Sequence, residues 1–264
     1  MPQYIEPGGR NCRFLEHRHG PLGSFWLWNH SLSASFSTQS VFATMQGHML
    51  IDLHTHTKPL SWDSYLDPDD LIERSRAAGL DGICLSEHDY FWKPEDVAEL
   101  AKRHDYLVIP AIEINTDDGH ILAYGLNNYV YGMHRSHELA HHIEEVNGAM
   151  VAAHPYRRQM PWYIESDLDY QEALARASRN PAYRYCAALE AINGRGAAKE
   201  NEFSQRLCEL MGMPGTAGSD AHARTDIGRC ATRFERDIAS VEDLIEELKA
   251  GRFEAVDLDM PVPA

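Results

Sequence analysis

Five short clusters of metal-ligand residues follow successive apolar segments of this chain, between Asp52 and His222. They read DLHTHT, SEHD, AIEINTDDGH, AAHPY and AGSDAH. Side chains carried by one strand after another converge on one point only when the strands are neighbours in a barrel or an open parallel sheet. Histidine and carboxylate side chains are common ligands of divalent metal ions. The order of the clusters therefore predicts an α/β fold with a single metal site.

Composition narrows the class of protein. The chain has 264 residues, of which 44% are hydrophobic and 24% are charged, so it can bury a full core within one domain. Its net charge of −16 argues against a broad basic face for nucleic acid and favours a small substrate. The five cysteines are widely spaced and include no C-x-x-C pair, so we expect reduced thiols in a cytoplasmic protein. No run reaches the roughly 18 apolar residues of a membrane span, so no membrane partner is expected.

From Met49 onward, segments with strand and helix patterns alternate. Strands are predicted at residues 50–53, 82–86, 106–114, 120–126, 149–154, 185–193, 213–218 and 253–258. Helices are predicted at residues 68–79, 94–103, 136–146, 168–178, 197–212 and 241–249. This alternation is typical of a parallel βα barrel, in which functional residues lie on the loops that follow the strands.

Residues 1–48 differ from the rest of the chain. They are rich in Ser, Gly, Phe and His, lack a clear periodicity, and do not begin with a charged-then-apolar signal sequence. They are interpreted as a weak strand pair, as a partly disordered arm, or as sequence upstream of a true start at Met45 or Met49. We therefore predict an N-terminal extension, residues 1–48, and a main domain, residues 49–264.

Each candidate ligand also has an ordinary interpretation. His54 and His56 are two residues apart, so on a strand they face the same side and can share one ion, but they also fit a solvated loop. Glu113 ends an apolar strand, where a carboxylate needs either a pair of cations or a salt bridge to Arg or Lys. Taken singly, His120 and His154 are more often hydrogen-bonded core residues than ligands.

Asp220 and His222 repeat the two-residue spacing in GSDAH, where Gly218 and Ser219 permit a tight turn. A chance pair of polar residues in a turn explains this motif when it is considered alone. Seven ligand-type residues at successive strand ends are hard to explain by chance, so together they indicate a metal site.

The motifs DLHTHT, SEHD, the Glu of AIEI, AHPY, EAINGR and GSDAH resemble, in that order, the polymerase and histidinol phosphatase (PHP) family of metal-dependent phosphoesterases. The resemblance covers about residues 49–257. It implies a distorted (β/α)7 barrel, and it identifies the main domain as a PHP hydrolase domain. It also implies two or three divalent metal ions, either Mn, Zn or Fe. The ligands implied for the first ion are His54, His56, Glu113 and Asp220.

The resemblance implies that Glu113, His120 and His154 bind a second ion, and that His88 and His222 serve a third. Many relatives carry a further His or Asp five residues beyond the first motif. Here that residue is Ser61, and Asp63 follows two residues later, so the third ion lacks one expected ligand. The second motif reads Glu-His-Asp where Asp-His is usual, so Glu87 is expected to orient a ligand.

Phosphoester hydrolysis is the activity that the resemblance implies. Two cations sharing Glu113 are expected to hold a bridging hydroxide that attacks phosphorus. Asp220 or His222 would then move protons, and Arg195 would bind phosphate through its planar fork unless it is a surface arginine. The expected substrate is a small phosphorylated or nucleotide-type molecule. The oligomeric state is not predicted.

Other functions remain open at this level. One is a 5′-to-3′ exonuclease acting on nucleic-acid ends, and another is a PHP module that binds metal without catalysis. A non-phosphate metallohydrolase is the third, and Arg195 argues against it. Lys58, Arg157 and Arg158 are expected on the rim of the site, with Arg158 interpreted as a solvated surface charge. The aromatic segment 90–92 is expected either to stack on a ring of the substrate or to cap the barrel.

Overall fold

The structure is a computed structural model, and it describes residues 48–161 and 163–258. The predicted N-terminal extension therefore lies outside the described residues except for His48, and the predicted division into two domains stays a prediction. The β-strands are β1 Met49–Thr55, β2 Gly82–Leu85, β3 Leu107–Thr116, β4 Gly119–Tyr124, β5 Ala149–Ala152, β6 Ala188–Asn193, β7 Gly215–Gly218, β8 Cys230–Phe234 and β9 Phe253–Asp257. The α-helices are α1 Pro68–Ala77, α2 Pro94–His104, α3 Ser136–Glu145, α4 Asp167–Ala177, α5 Ala198–Met211 and α6 Val241–Ala250.

All nine strands form one sheet in the order β7-β6-β5-β4-β3-β2-β1-β8-β9. The sheet curves until the segment after β7 reaches β1, where the Asp220 amide donates to the His54 carbonyl at 2.8 Å. The His56 amide donates in turn to the Ala221 carbonyl at 3.1 Å. The sheet is thus a nearly closed barrel, as the sequence predicted.

One of the strands predicted from the sequence, β4, runs against the predicted parallel pattern. The pairs β1–β2, β2–β3, β5–β6 and β6–β7 are parallel, but β4 is antiparallel to both β3 and β5. The reason is the tight turn between Thr116 and Gly119, because so short a connection can only join antiparallel strands. The start of β4, which carries His120, consequently lies at the same end of the barrel as the last residues of β3 and β5.

Strand β8 was not predicted from the sequence. It is a five-residue strand that pairs antiparallel with both β1 and β9. A segment this short shows too little alternation of apolar and polar residues to be distinguished from a loop. The antiparallel pair of β8 and β9, which is connected through α6, extends the sheet beyond β1.

The helices begin with the residues that their sequences predict. Pro68 and Pro94 occupy the first turns of α1 and α2, and the Ser240 hydroxyl accepts from the Asp243 amide at 3.2 Å at the start of α6. Apolar faces of these helices pack on the sheet, as Leu244 and Leu248 of α6 do in a core cluster of strand residues. Across the described residues, no helix combines the length and apolar character needed to cross a bilayer.

Candidate metal centre

The structure brings all the predicted ligands to one end of the barrel. The candidate ligands form four groups of three residues, and within each group the ligand atoms lie within 4.8 Å of one another. Together the four groups include every predicted metal ligand. These residues are His54, His56, His88, Glu113, His120, His154, Asp220 and His222. They arrive from different strands because the last residues of parallel neighbours, and the first residues of the antiparallel β4, meet at the same end of the barrel. Ion binding itself stays a prediction.

The first position is surrounded by His54, His56, Glu113 and Asp220. The Nε2 atom of His56 lies 3.3 Å from Glu113 Oε2, 3.4 Å from Asp220 Oδ1 and 2.9 Å from His54 Nε2. His54 Nε2 lies 3.4 Å from the same Glu113 oxygen and 3.6 Å from the same Asp220 oxygen. Ligands held about 2.0 to 2.2 Å from a tetrahedral ion are about 3.3 to 3.6 Å apart. The four distances from these histidines to the two carboxylate oxygens fall in that range, whereas the two Nε2 atoms are closer to each other.

The second position uses the other oxygen of Glu113. Glu113 Oε1 lies 2.8 Å from His120 Nδ1 and 2.8 Å from His154 Nε2. The carboxylate of Glu113 therefore faces one set of histidines with each of its two oxygens. This is the arrangement expected of a ligand that bridges two cations.

The third position includes a residue outside the predicted ligand set. Asp63 Oδ2 lies 3.2 Å from His222 Nε2 and 3.4 Å from His88 Nε2. His88 also places its Nδ1 atom 2.9 Å from Glu113 Oε2, which connects this position to the other two. Asp63 thus supplies a carboxylate close to both histidines, although it comes two residues later in the sequence than the relatives' ligand.

Unpaired buried atoms show that this end of the barrel suits cations. Glu113 Oε2, Asp220 Oδ1 and His222 Nε2 are buried without a hydrogen-bond partner in the described part of the chain. Leaving such atoms unpaired in a protein interior is costly unless an ion satisfies them. Imidazole nitrogens and carboxylate oxygens are the ligands that Zn, Mn and Fe accept. The residues present therefore fit divalent metal ions.

Hydrogen bonds behind the first position orient its histidines. His54 places Nδ1 2.9 Å from Glu190 Oε1, and His56 places Nδ1 3.2 Å from the Ser61 hydroxyl. Ser61 in turn donates to Glu87 Oε2 at 2.5 Å. An imidazole that donates from Nδ1 presents Nε2 to an ion once Nε2 has lost its proton, so both rings are oriented for metal binding.

Glu87 was expected from the sequence to orient a ligand, whereas Glu190 was not. Ser61 connects His56 to Glu87, so the expected orienting role of Glu87 has a hydrogen-bonded route to a ligand. Glu190 was missed, although it lies in the EAINGR motif. Its position on a buried strand three residues before Asn193 was the available signal, because a buried carboxylate needs a partner.

Asp220 is held from both sides. Its Oδ1 atom faces His54 and His56, while Oδ2 accepts from Arg157 Nη2 at 2.6 Å and from Asn193 Nδ2 at 3.4 Å. Arg157, expected on the rim, is instead half-buried and tied to the centre. Only one oxygen of Asp220 is thus left for an ion.

Burial and the neighbouring charged groups shift the pKa values of Glu113 and His56 in opposite directions. Burial would raise the pKa of Glu113, but the positive charge of His54 and hydrogen bonds from His120 and His154 hold it well below its usual value. Burial would lower the pKa of His56, but hydrogen bonds to Asp220 and Glu113 raise it to about 8. Before any ion binds, protonated histidines therefore balance the buried carboxylates.

Arg195 lies at the edge of the centre, exposed to solvent. Its Nη1 atom is 3.0 Å from His222 Nδ1, and the same Nδ1 atom is 2.8 Å from the Asp220 carbonyl. A ring nitrogen that donates to this carbonyl has no lone pair to accept from Arg195. The guanidinium donors of Arg195 are therefore available for an anion.

The aromatic segment after the second motif has more than one environment. Trp92 donates its indole N–H to Glu87 Oε1 at 2.9 Å, and Phe91 packs against a core cluster. Tyr90, by contrast, is 53% exposed. Trp92 and Phe91 thus cap the barrel, and Tyr90 is the member of the segment left facing solvent.

Comparison with protein families gives two matches. The PHP domain model matches residues 52–210, and the PHP-associated model matches residues 198–253. None of the curated proteins matches the chain.

Solved structures share the fold at low sequence identity. PsfC from Pseudomonas syringae PB-5123 is 17% identical with a TM-score of 0.55, over 80% of this chain and 92% of that chain. A two-domain protein from Bacteroides vulgatus ATCC 8482 is 21% identical with a TM-score of 0.55, over 81% of this chain and 66% of that chain. The latter is described as containing a predicted PHP-like metal-dependent phosphoesterase.

Proposed function

The chain belongs to the PHP family, and on that premise we propose that it is a hydrolase that cleaves phosphoester bonds with two or three bound divalent metal ions. The observation that carries this proposal is the placement of Glu113. One of its oxygens faces His54 and His56, and the other faces His120 and His154. A buried carboxylate shared in this way supports a site for two adjacent cations, which is the arrangement that favours hydrolysis of phosphoesters.

The side chains around such a site have different roles. When bound, divalent ions lower the pKa of water to about 7 and neutralise phosphoryl oxygens. Glu190 and Ser61 hold the rings of His54 and His56 in the metal-binding orientation. Arg157 holds Asp220 so that a single oxygen points to the first position. Because these groups are already oriented, little reorganisation is needed when a substrate binds.

Proton transfer is the further role that we assign to Asp220 and His222. Both have an unpaired buried atom at the centre, Oδ1 and Nε2 respectively. Burial would raise the pKa of Asp220, but the charge of His54 and the hydrogen bond from His56 hold it well below its usual value. Burial and repulsion by His56 lower the pKa of His222. Without bound ions both groups are therefore unprotonated at neutral pH, which suits either binding of an ion or acceptance of a proton.

We propose a small phosphorylated molecule as the substrate. The free donors of Arg195 at the edge of the centre suit a phosphate, because a guanidinium matches two phosphate oxygens at once. The net charge of −16 argues against nucleic acid as the main substrate, although attack on nucleic-acid ends remains the alternative. The complete ligand set argues against a module that only binds metal. We also propose a cytoplasmic location, since Cys84, Cys186 and Cys208 are free thiols.

A substrate panel tests the proposed function. The purified protein, loaded separately with Mn, Zn and Fe, is assayed on phosphomonoesters, phosphodiesters, oligonucleotides and carboxylic esters. We expect hydrolysis of at least one class of small phosphoester, and its loss in Glu113→Gln. Glu242→Gln, an exposed change on α6, serves as the matched control and should keep full activity. Hydrolysis of carboxylic esters alone would overturn the proposal, as would inactivity on every phosphoester with all three metals.

A further inference from the structure

A pocket beside the metal centre concentrates positive charge in a chain whose net charge is −16. Its volume is about 680 Å³, and its lining comes from the loops after β5 and β6 and from α4 and α5. The cationic side chains of this basic pocket are Arg157, Arg158, Arg176, Arg195 and Lys199. Five cations around one pocket are unexpected in an acidic protein, because their mutual repulsion has to be offset.

Two of these cations join the basic pocket to the metal centre. Arg157 donates to Asp220 at 2.6 Å, and Arg195 lies 3.0 Å from the ring of His222. A ligand in the pocket is therefore next to a group bound at the ions. The pocket and the centre can act on different parts of one molecule.

The other charges of the pocket are not neutralised by the protein. No carboxylate of the described residues lies within 4.0 Å of the charged groups of Arg158, Arg176, Arg195 or Lys199, whereas most other arginines form such pairs. Arg176 donates, within the described part of the chain, only to the backbone oxygen of Gln159 at 3.3 Å. The acidic residue in the lining, Glu200, accepts from the Ala197 amide at 2.7 Å at the start of α5. The pocket therefore retains an excess of positive charge.

We propose that the basic pocket binds a second phosphate of the substrate, which makes the substrate a small molecule with two phosphate groups. This inference rests on the proposed function and specifies its substrate class. Arginine forks match phosphate oxygens in pairs, so the three arginines that have no carboxylate partner among the described residues favour phosphate over a single carboxylate. The volume also exceeds that of one phosphate and falls in the range of about 300 to 1,000 Å³ found for small-molecule sites, so part of the connecting group fits as well.

A matched pair of substrates tests the second phosphate. Alkanediols of three to six carbons are prepared with a phosphate at one end or at both ends. The metal-loaded protein should hydrolyse the bisphosphate of the best length with a kcat/KM at least about tenfold above that of the monophosphate, as expected for charge-assisted hydrogen bonds to the added group. Equal values for the two members of every pair would overturn the inference.

Charge-reversal variants show whether the basic pocket is responsible. Lys199→Glu and Arg176→Glu should each reduce the preference for bisphosphate over monophosphate about tenfold, because they lower kcat/KM much more for the bisphosphate than for the monophosphate. Lys199→Glu adds an acid to the first turn of α5, where the helix dipole favours it, so the fold should be kept. Lys102→Glu, an exposed change of the same charge on α2, is the control and should keep the preference. A preference that survives both pocket variants would contradict the assignment.

A binding measurement separates this inference from the proposed function. The metal-loaded protein is titrated calorimetrically with non-hydrolysable alkanediol bisphosphonates and monophosphonates. Tighter binding of the bisphosphonate, lost in Lys199→Glu, supports the pocket even if no phosphoester is hydrolysed, in which case only the proposed function fails. Equal binding of the two phosphonates contradicts the pocket. A single-stranded oligonucleotide that competes more strongly than the bisphosphonate would also overturn the assignment to a small molecule.

Discussion

The Nδ1 atom of His54 lies 2.9 Å from Oε1 of Glu190, and the Nε2 atom of the same ring faces the first ion position. Glu190 also accepts from the His154 amide at 2.7 Å through its other oxygen. One buried carboxylate of β6 thus orients a ligand of the first position and the backbone of a ligand of the second. It couples the two positions without facing either ion.

Replacing Glu190 should weaken metal binding more than it weakens the fold. In Glu190→Gln we expect the affinity of the first position to fall about 10-fold to 100-fold, as for other partners that orient metal-binding histidines. The amide has nearly the same size, so the barrel should still fold. Titration against a chelator of known affinity measures the effect. An unchanged affinity would show that His54 is oriented without Glu190, and exposed Glu242→Gln provides the baseline.

The number of metal ions bound per chain tests whether Glu113 bridges two ions. We expect at least two tightly bound ions per chain, one of them lost in His154→Asn because Glu113 and His120 alone hold the second position poorly. Hydrolysis of every substrate should be abolished together with that ion. Elemental analysis after purification without chelator measures the content, and exposed His141→Asn should match the wild type. Fewer than one ion per chain, with no uptake of added Mn or Zn, would refute this expectation.

Asp63 should determine the affinity of the third position. It lies within 3.4 Å of both His88 and His222, but its side chain is 28% exposed, so we expect a third ion that binds weakly or only with substrate. Asp63→Asn should remove this ion and leave the first two in place. The number of bound ions at increasing Mn concentration is the measurement. A third ion that survives the substitution would require a different ligand.

Arg195 should contribute to phosphate recognition and not to metal binding. Removal of a group that stabilises charge in a transition state costs about 2 to 4 kcal/mol, so Arg195→Ala should lower kcat/KM on phosphate esters by a corresponding factor. Arg195→Lys should recover little, because a point charge cannot form two parallel hydrogen bonds. The comparison is made on matched phosphate and non-phosphate esters. Equal losses on both classes would show that Arg195 has a structural role.

The sequence was sufficient for the barrel and for the clustering of the candidate ligands at one end of it. The pairs His54 with His56 and Asp220 with His222 are two residues apart, a spacing that places both side chains on one side of an extended chain. Apolar segments before each cluster predicted strands, and ligands at the ends of successive strands must meet in a barrel. These patterns involve residues that are close in sequence, so they can be recognised without knowledge of the fold.

Tertiary structure alone decided which other residues join the centre. Glu190, Asp63 and Arg157 reach it through contacts between segments far apart in the chain, with Arg157 and Asp220 separated by 63 positions. The basic pocket likewise depends on α4 and α5 packing beside the loop that follows β5. The short strand β8 is defined by its pairing with β1 and β9, because too few residues carry its pattern. Contacts of this kind follow from packing of the whole chain, whereas sequence periodicity reports only on neighbours within one element.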